Sequence, residues 1–141
     1  MARSRSTAFD QGSASAELVV LTPLLIAFAA VLLLAARLVM AHQAVLDAAR
    51  TGLEAAVVSS DSRSASANFA SVALEDLAAS HLVCQSNDLS SDVSNFRPGG
   101  IVSVQVACAV ALASLGTPGL GGSAIVAASA TGVIEPFRQL P

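Results

Sequence analysis

The residues whose types and spacing could do chemistry lie near the start of the chain, where Glu17 follows Gly12 by five positions. Glu17 directly precedes residues 18–36, a run of nineteen residues without a charge. About 20 such residues are needed for a helix to cross a bilayer. A carboxylate next to lipid is costly unless a cation pairs with it. Glu17 is therefore a candidate functional residue whose carboxylate is expected to have a partner.

The residues before Gly12 support a defined orientation and a processing step. Two arginines and one aspartate occur among the first eleven residues, and this small positive excess favours a cytoplasmic N-terminus. The basic leader, the glycine and the glutamate resemble a class III, type IV pilin-like signal peptide. This resemblance implies that a prepilin peptidase cuts between Gly12 and Ser13. It also implies that Glu17 pairs with the new N-terminal amine of a neighbouring subunit.

Two other interpretations of the apolar run remain open at the sequence level. Residues 18–36 could be a secretory signal, for which Ala35, Ala36 and Ala41 offer a weak cleavage site, or an uncleaved signal anchor. The run is long for a secretory signal, and an amphipathic pattern continues beyond it without a break. This continuity favours a helix that stays attached to the rest of the chain.

The composition limits the class of protein. The chain has 141 residues, 54% of them hydrophobic but only 4% aromatic, with a net charge of −3 and no lysine. Without a basic patch after the leader, nucleic acid is not an expected partner. Removing the leader and the span leaves roughly 100 residues, which suffice for one small domain with a thin core.

Cys84 and Cys108 are the only two cysteines. The predicted topology places both in an oxidising, extracytoplasmic space, where an intrachain disulfide is expected. The alternatives are two buried free thiols or an intermolecular bond. Neither cysteine belongs to a CxxC pair, so redox catalysis is not expected.

The elements that must position these residues begin with one long helix over residues 13–58. Its polar side consists of Gln43, Asp47, Arg50 and Glu54, and its opposite side of Val45, Leu46, Ala49, Leu53 and Ala56. Pro23 lies inside the membrane run and predicts a kink. A serine-rich loop is predicted over residues 59–67. A second, shorter helix is predicted over residues 68–81, with Phe69, Ala73, Leu74 and Leu77 facing inward.

The rest of the chain predicts a small antiparallel sheet. Residues 84–96 are polar, and part of this segment is expected to be an edge strand. After the turn Pro98-Gly99-Gly100, residues 101–112 alternate between apolar and small or polar side chains, which is typical of a strand. Residues 116–122 form a glycine-rich loop, and residues 123–134 predict another strand. The expected fold class is α+β and pilin-like: a long N-terminal transmembrane and stem helix is followed by a short helix packed on a small antiparallel sheet.

The order of these downstream motifs narrows the resemblance. Cys84, the Phe96–Gly100 turn, the alternating strand with Cys108 and the glycine loop resemble the TadE-like family, most closely its actinobacterial branch. Members are pseudopilin-type proteins of the Tad/Flp pilus machinery. The resemblance implies a minor, membrane-held component that works with other pilin subunits and inner-membrane assembly proteins. A TadF-like paralogue would have a similar outline.

Catalysis is not expected from the residues available. His42 and His81 are the only histidines, and neither belongs to a metal-binding motif. His42 is expected at an interface just beyond the membrane, and His81 at the end of the second helix. Asp88 and Asp92 lack the glycine and glutamate of a calcium loop. No enzyme activity, metal or cofactor is therefore predicted.

The sequence thus predicts three segments: a cytoplasmic leader (1–12), a transmembrane and stem helix (13–58) and an extracytoplasmic domain (59–141). The alternative function is that of a single-pass, membrane-anchored binding module unrelated to pili. Such a module would use the same stem and disulfide but would not need Gly12 or Glu17.

Overall fold

The computed structural model describes residues 11–115 and 121–137, and it describes the side chains of residues 18–114 and 121–137. Two helices are followed by three strands: α1 (Gln11–Val57), α2 (Ser62–Ala79), β1 (Cys84–Asp92), β2 (Ile101–Ala111) and β3 (Ser123–Val133). A short 3₁₀ helix (Leu112–Leu115) follows β2. The described residues divide into two compact units, one ending at Ala36 and the other beginning at Arg37. The fold is α+β, as predicted.

The sheet is antiparallel, with β2 in the centre and the order β1-β2-β3. Its register pairs Leu89 with Val106 and Cys108 with Val126. The predicted strand over residues 101–112 is confirmed as β2, and the predicted edge strand is confirmed as β1. Leu112, which continues the apolar alternation, lies instead in the 3₁₀ helix.

The core of the second unit comes from the C-terminal part of α1, one side of α2 and the inner face of the sheet. Alternation along β2 buries every second residue, because successive side chains point to opposite faces of a strand. The buried residues of β2 are Val102, Val104, Val106, Cys108 and Val110. Strand β3 lies against α1, since a Cβ added at Gly132 would stand 3.2 Å from Cγ2 of Val57.

The start of α2 corrects the predicted loop over residues 59–67. The connection between the helices is short, and α2 begins at Ser62. Asp61 is its N-cap: the Asp61 carboxylate accepts a hydrogen bond from the Ser64 amide at 2.8 Å, and the Ser64 hydroxyl lies 3.2 Å from the Asp61 amide. These reciprocal bonds form a capping box, which stabilises the first turn of a helix. The serines here cap and begin a helix.

The faces of α2 are mostly as predicted. Phe69, Ala73 and Leu77 are buried, whereas Leu74 is 41% exposed. Leu74 was therefore wrongly predicted to face the core. Its position is one residue after Ala73, so it turns away from the buried stripe by the 100° step of an α-helix.

The turn before β2 requires its glycines. Gly99 has a φ of 74°, a value that favours glycine because it has no Cβ. At Gly100 an added Cβ would overlap the carbonyl oxygen of Asn95. The turn also binds the end of β3, because the Gly99 amide donates to the Ile134 carbonyl at 3.0 Å. Of the predicted glycine-rich loop, residues 116–120 lie outside the described residues.

Candidate functional site

The predicted processing and assembly residues lie in the first two turns of α1. The backbone at Gly12, Ser13 and Glu17 is helical. Their side chains, like the whole of residues 1–10, lie outside the described part of the structure. Ser13 and Glu17 are four residues apart, a rise of about 6 Å along a helix, so the backbone places them roughly one turn from each other.

The apolar run that follows is exposed on all sides of the helix. Four consecutive residues, Leu18 to Leu21, point in different directions and expose between 52% and 72% of their surface. The helix from Leu18 onward is long and apolar enough to cross a membrane, and the most apolar part of it is not buried within the protein. Exposed leucine and valine on every side need an apolar surrounding, either lipid or other helices.

Pro23 lies inside α1, and the helix continues through it. Proline has no amide hydrogen, so the bond to the carbonyl four residues earlier is missing. The acceptor left without this donor is the Val19 carbonyl, whereas the Thr22 hydroxyl donates to the neighbouring Leu18 carbonyl at 2.6 Å. The kink at Pro23 stays a prediction.

Beyond Ala36 the helix becomes amphipathic as predicted. Val45, Ala49, Leu53 and Ala56 are buried, while the polar stripe from Gln43 to Glu54 is exposed. Leu46, predicted on the buried side, is half-buried. His42 is exposed near the N-terminal end of this amphipathic part of α1, which we call the stem. The stem is therefore both the continuation of the apolar helix and a structural part of the second unit.

Cys84 and Cys108 form the predicted disulfide, with their Cα atoms 5.4 Å apart. Cys108 is fully buried on the inner face of β2, and Cys84 is half-buried at the start of β1. The register of β1 shifts between Cys84 and Ser86, so the bond ties an irregular strand end to the central strand. The disulfide belongs to the second unit, whereas Gly12, Ser13, Glu17 and Pro23 belong to the first.

Two carboxylates of the second unit have pKa values lowered by hydrogen bonds from nearby serines. The pKa of Asp61 is lowered, first by the hydrogen bond from the Ser64 amide. The pKa of Asp92 is lowered by hydrogen bonds from Ser94. Within the described ranges, no group of three or more His, Cys, Asp or Glu side chains is arranged to hold a metal ion.

The sequence did not predict one surface feature of the second unit. A depression of about 270 Å³ lies among the N-terminal part of the stem (residues 37–44), the residues after α2 and the end of β2. Arg37, His81, Val83 and Ser114 are among its lining residues. These residues are up to 77 positions apart in the chain, so no local motif could indicate that they meet.

Comparison with known proteins gives one family. The family model of TadE-like proteins matches residues 12–54. This segment contains Gly12, Ser13 and Glu17, the apolar run and most of the stem, and it ends before the second helix. No curated protein and no solved structure matches the chain. Residues 12–54 are therefore similar to TadE-like proteins, and the match suggests a membrane component associated with a Tad pilus.

Proposed function

We propose that this protein is a minor, non-catalytic pseudopilin-type subunit of a Tad/Flp pilus or a related secretion apparatus. The observation that carries the proposal is the family match over residues 12–54. It covers the glycine, the glutamate and the exposed apolar helix together. A simple membrane anchor needs the apolar helix alone, so the presence of the other two residues favours assembly.

In this proposal a prepilin peptidase cuts between Gly12 and Ser13 and creates a positively charged amine at Ser13. Glu17 of a neighbouring subunit binds this amine within an apolar bundle of helices. A buried charge without a partner costs several kcal/mol. Neighbouring subunits therefore pack at the one axial offset that lets this pair form. The exposed leucines and valines of residues 18–36 then pack between the helices.

The proposed topology is a single span with a cytoplasmic N-terminus and an extracytoplasmic C-terminal domain. The arginines of the leader support this orientation. The Cys84–Cys108 disulfide supports it independently, because disulfides form and persist in oxidising compartments outside the cytoplasm.

The exported domain is proposed to contact other pilus components. The outer face of its sheet exposes Ile101, Ile125 and Val133 by between 52% and 78%. Ile101 and Val133 are partners in the register, so these side chains form a neighbouring pair. Apolar groups on an exposed face are typical of surfaces that contact another protein.

The first experiment is mass spectrometry of the mature N-terminus, using membranes of cells that carry the complete gene cluster. A chain that begins at Ser13 is the expected result. A chain that begins after Ala36 or Ala41 would indicate a secreted protein and contradict the proposal. An intact N-terminus would favour the membrane-anchored binding module.

The second experiment separates insertion from assembly. Glu17→Ala should insert into the membrane normally but be lost from the sheared pilus fraction, because the carboxylate that binds the neighbouring N-terminal amine is missing. Glu54→Ala, on the exposed polar side of the stem, is the matched control and should assemble as wild type does. Equal assembly of the two variants would argue against a role for Glu17 and for a plain anchored module.

A further inference from the structure

The depression in the second unit joins three segments that are distant in the chain. Arg37 and Met40 come from the first turn of the stem, His81 and Val83 from the segment after α2, and Ser114 from the 3₁₀ helix. Val110, which is 1% exposed, also lines it. The depression holds about 270 Å³, enough for a phosphate group and the atoms next to it.

The depression has a positively charged lining residue and no negatively charged one. Arg37 and His81 are its ionisable residues, and its lining includes no aspartate or glutamate. Arg37 is exposed, and no hydrogen bond or ion pair joins its guanidinium to the residues that the structure describes. A guanidinium in this state is ready to bind a phosphate through two parallel hydrogen bonds.

The serine hydroxyls of the depression are already engaged. The Ser80 hydroxyl donates to the Leu77 carbonyl, and the Ser114 hydroxyl donates to the Ala111 carbonyl, each at 2.7 Å. Arg37 and the imidazole of His81 therefore remain as the donors for an anion. This division of roles favours a ligand with concentrated negative charge over a neutral polar ligand such as a sugar.

The rim of the depression includes exposed apolar side chains, and two of its lining residues, Arg37 and Met40, closely follow the uncharged run in the chain. Met40 is 65% exposed and Val83 is 70% exposed. Arg37 directly follows the uncharged run of residues 18–36. Arginine at the end of a membrane helix extends its guanidinium group into the headgroup layer, while the methylene groups of its side chain stay in apolar surroundings.

We propose that this depression binds the phosphodiester headgroup of an anionic phospholipid. Arg37 binds the phosphate oxygens, His81 donates a further hydrogen bond, and Met40 and Val83 contact the glycerol and upper acyl region. Inorganic phosphate shares the anionic chemistry but would leave both apolar side chains in water. The inference goes beyond pilus assembly, because it requires only that residues 18–36 cross the bilayer.

The test uses the purified full-length protein in detergent, with native mass spectrometry during titration by phosphatidylglycerol. We expect one bound lipid per chain, and about fivefold weaker binding by Arg37→Gln, which corresponds to the loss of one interfacial cation. Arg50→Gln is the matched control, because Arg50 is an exposed arginine of the same helix outside the depression. It should bind as tightly as wild type.

Two further arms identify the source of the phosphate. Phosphatidylcholine should bind more weakly than phosphatidylglycerol, and millimolar inorganic phosphate should not displace the bound lipid. Equal binding by wild type and Arg37→Gln would overturn the proposal, as would equal binding of the two lipids. Displacement by inorganic phosphate would assign the depression to the free anion. None of these results depends on whether the protein assembles into a pilus.

Discussion

At the scale of single residues, a glycine of α1 lies where α2 approaches closely. Gly52 of α1 is buried, and a Cβ at this position would lie 2.7 Å from Cδ2 of Phe69 and 3.2 Å from Cβ of Ala73. The Phe69 ring is 1% exposed, so it has little room to move. Gly52 therefore sets the distance at which α2 packs on the stem.

Gly52→Ala should lower the free energy of unfolding by a net value of about 1 kcal/mol. Overpacking a core costs about 1–3 kcal/mol, whereas alanine gains about 1 kcal/mol over glycine in a helix. Denaturant unfolding of the purified protein measures the difference. Arg50→Ala, two residues away on the exposed side, should be close to neutral. A more stable Gly52→Ala variant would show that the helices are not in such close contact.

The cap of α2 predicts a pH dependence. The Ser64 amide hydrogen bond lowers the pKa of Asp61 from its ordinary 3.8. The ionised carboxylate is therefore favoured by folding, and its contribution is complete above pH 3.8 and is lost as the pH falls through the folded pKa. Asp61→Asn keeps a capping oxygen but does not titrate.

Unfolding curves of wild type and Asp61→Asn between pH 2 and pH 7 test this prediction. The difference in stability between the two proteins should be constant near neutral pH and should shift against wild type below about pH 4. A difference that does not change with pH would mean that the carboxylate charge contributes nothing to the cap.

At the scale of elements, the disulfide holds the polar strand β1 on the sheet. Strand β1 is an edge strand with mostly exposed side chains, so burial contributes little to its attachment. Cys84→Ser with Cys108→Ser should lower the free energy of unfolding by about 3–4 kcal/mol, the chain-entropy value for a loop of about 25 residues. Reduction of wild type should give the same loss. A loss below about 1 kcal/mol would show that β1 is held by its ladder of hydrogen bonds alone.

The elements that sequence alone predicts are those with a strong repeating pattern. Strand β2 alternates between apolar and small or polar side chains over its whole length and is found as expected. The long apolar helix can be predicted from composition and length alone. The start of α2 was missed because Ser62, Ser64 and Ser66 resemble a loop by composition. In the structure Asp61 and Ser64 cap the helix, and Ser66 lies 3.0 Å from Ser91 of β1 through their hydroxyl oxygens.

The candidate site follows the same rule. Gly12 and Glu17 are recognisable because the role proposed for them depends on spacing within one segment. The depression lined by Arg37 and His81 depends on the tertiary fold. His81 enters it because the residue after the cap of α2 has a φ of 58°, a left-handed conformation that reverses the chain at a helix end. The position of His81 at the end of α2 is predictable from the sequence, whereas its place beside the stem and the end of β2 is not.

At the scale of the whole molecule, the division at Ala36 separates the helix segment that could cross a membrane from the part of the chain that holds the buried core. The buried residues lie at or beyond Ala41 in the part of the chain whose side chains are described, and the apolar run before it is exposed. The second unit thus holds its own hydrophobic core, to which the stem contributes Val45, Leu53 and several alanines. A unit with its own core is expected to fold independently.

A fragment that begins at Arg37 should therefore be soluble and cooperatively folded, with a thermal midpoint within a few degrees of the full-length protein in detergent. A fragment that begins at Ser59 is the control and should not fold, because removal of the stem exposes Phe69 and Leu77, which are 1% and 3% exposed in the intact unit. Circular dichroism and size-exclusion chromatography distinguish the two. Aggregation of the longer fragment would mean that the apolar helix contributes to folding. Equal folding of both fragments would mean that the stem is an anchor and that α2 and the sheet are stable without it.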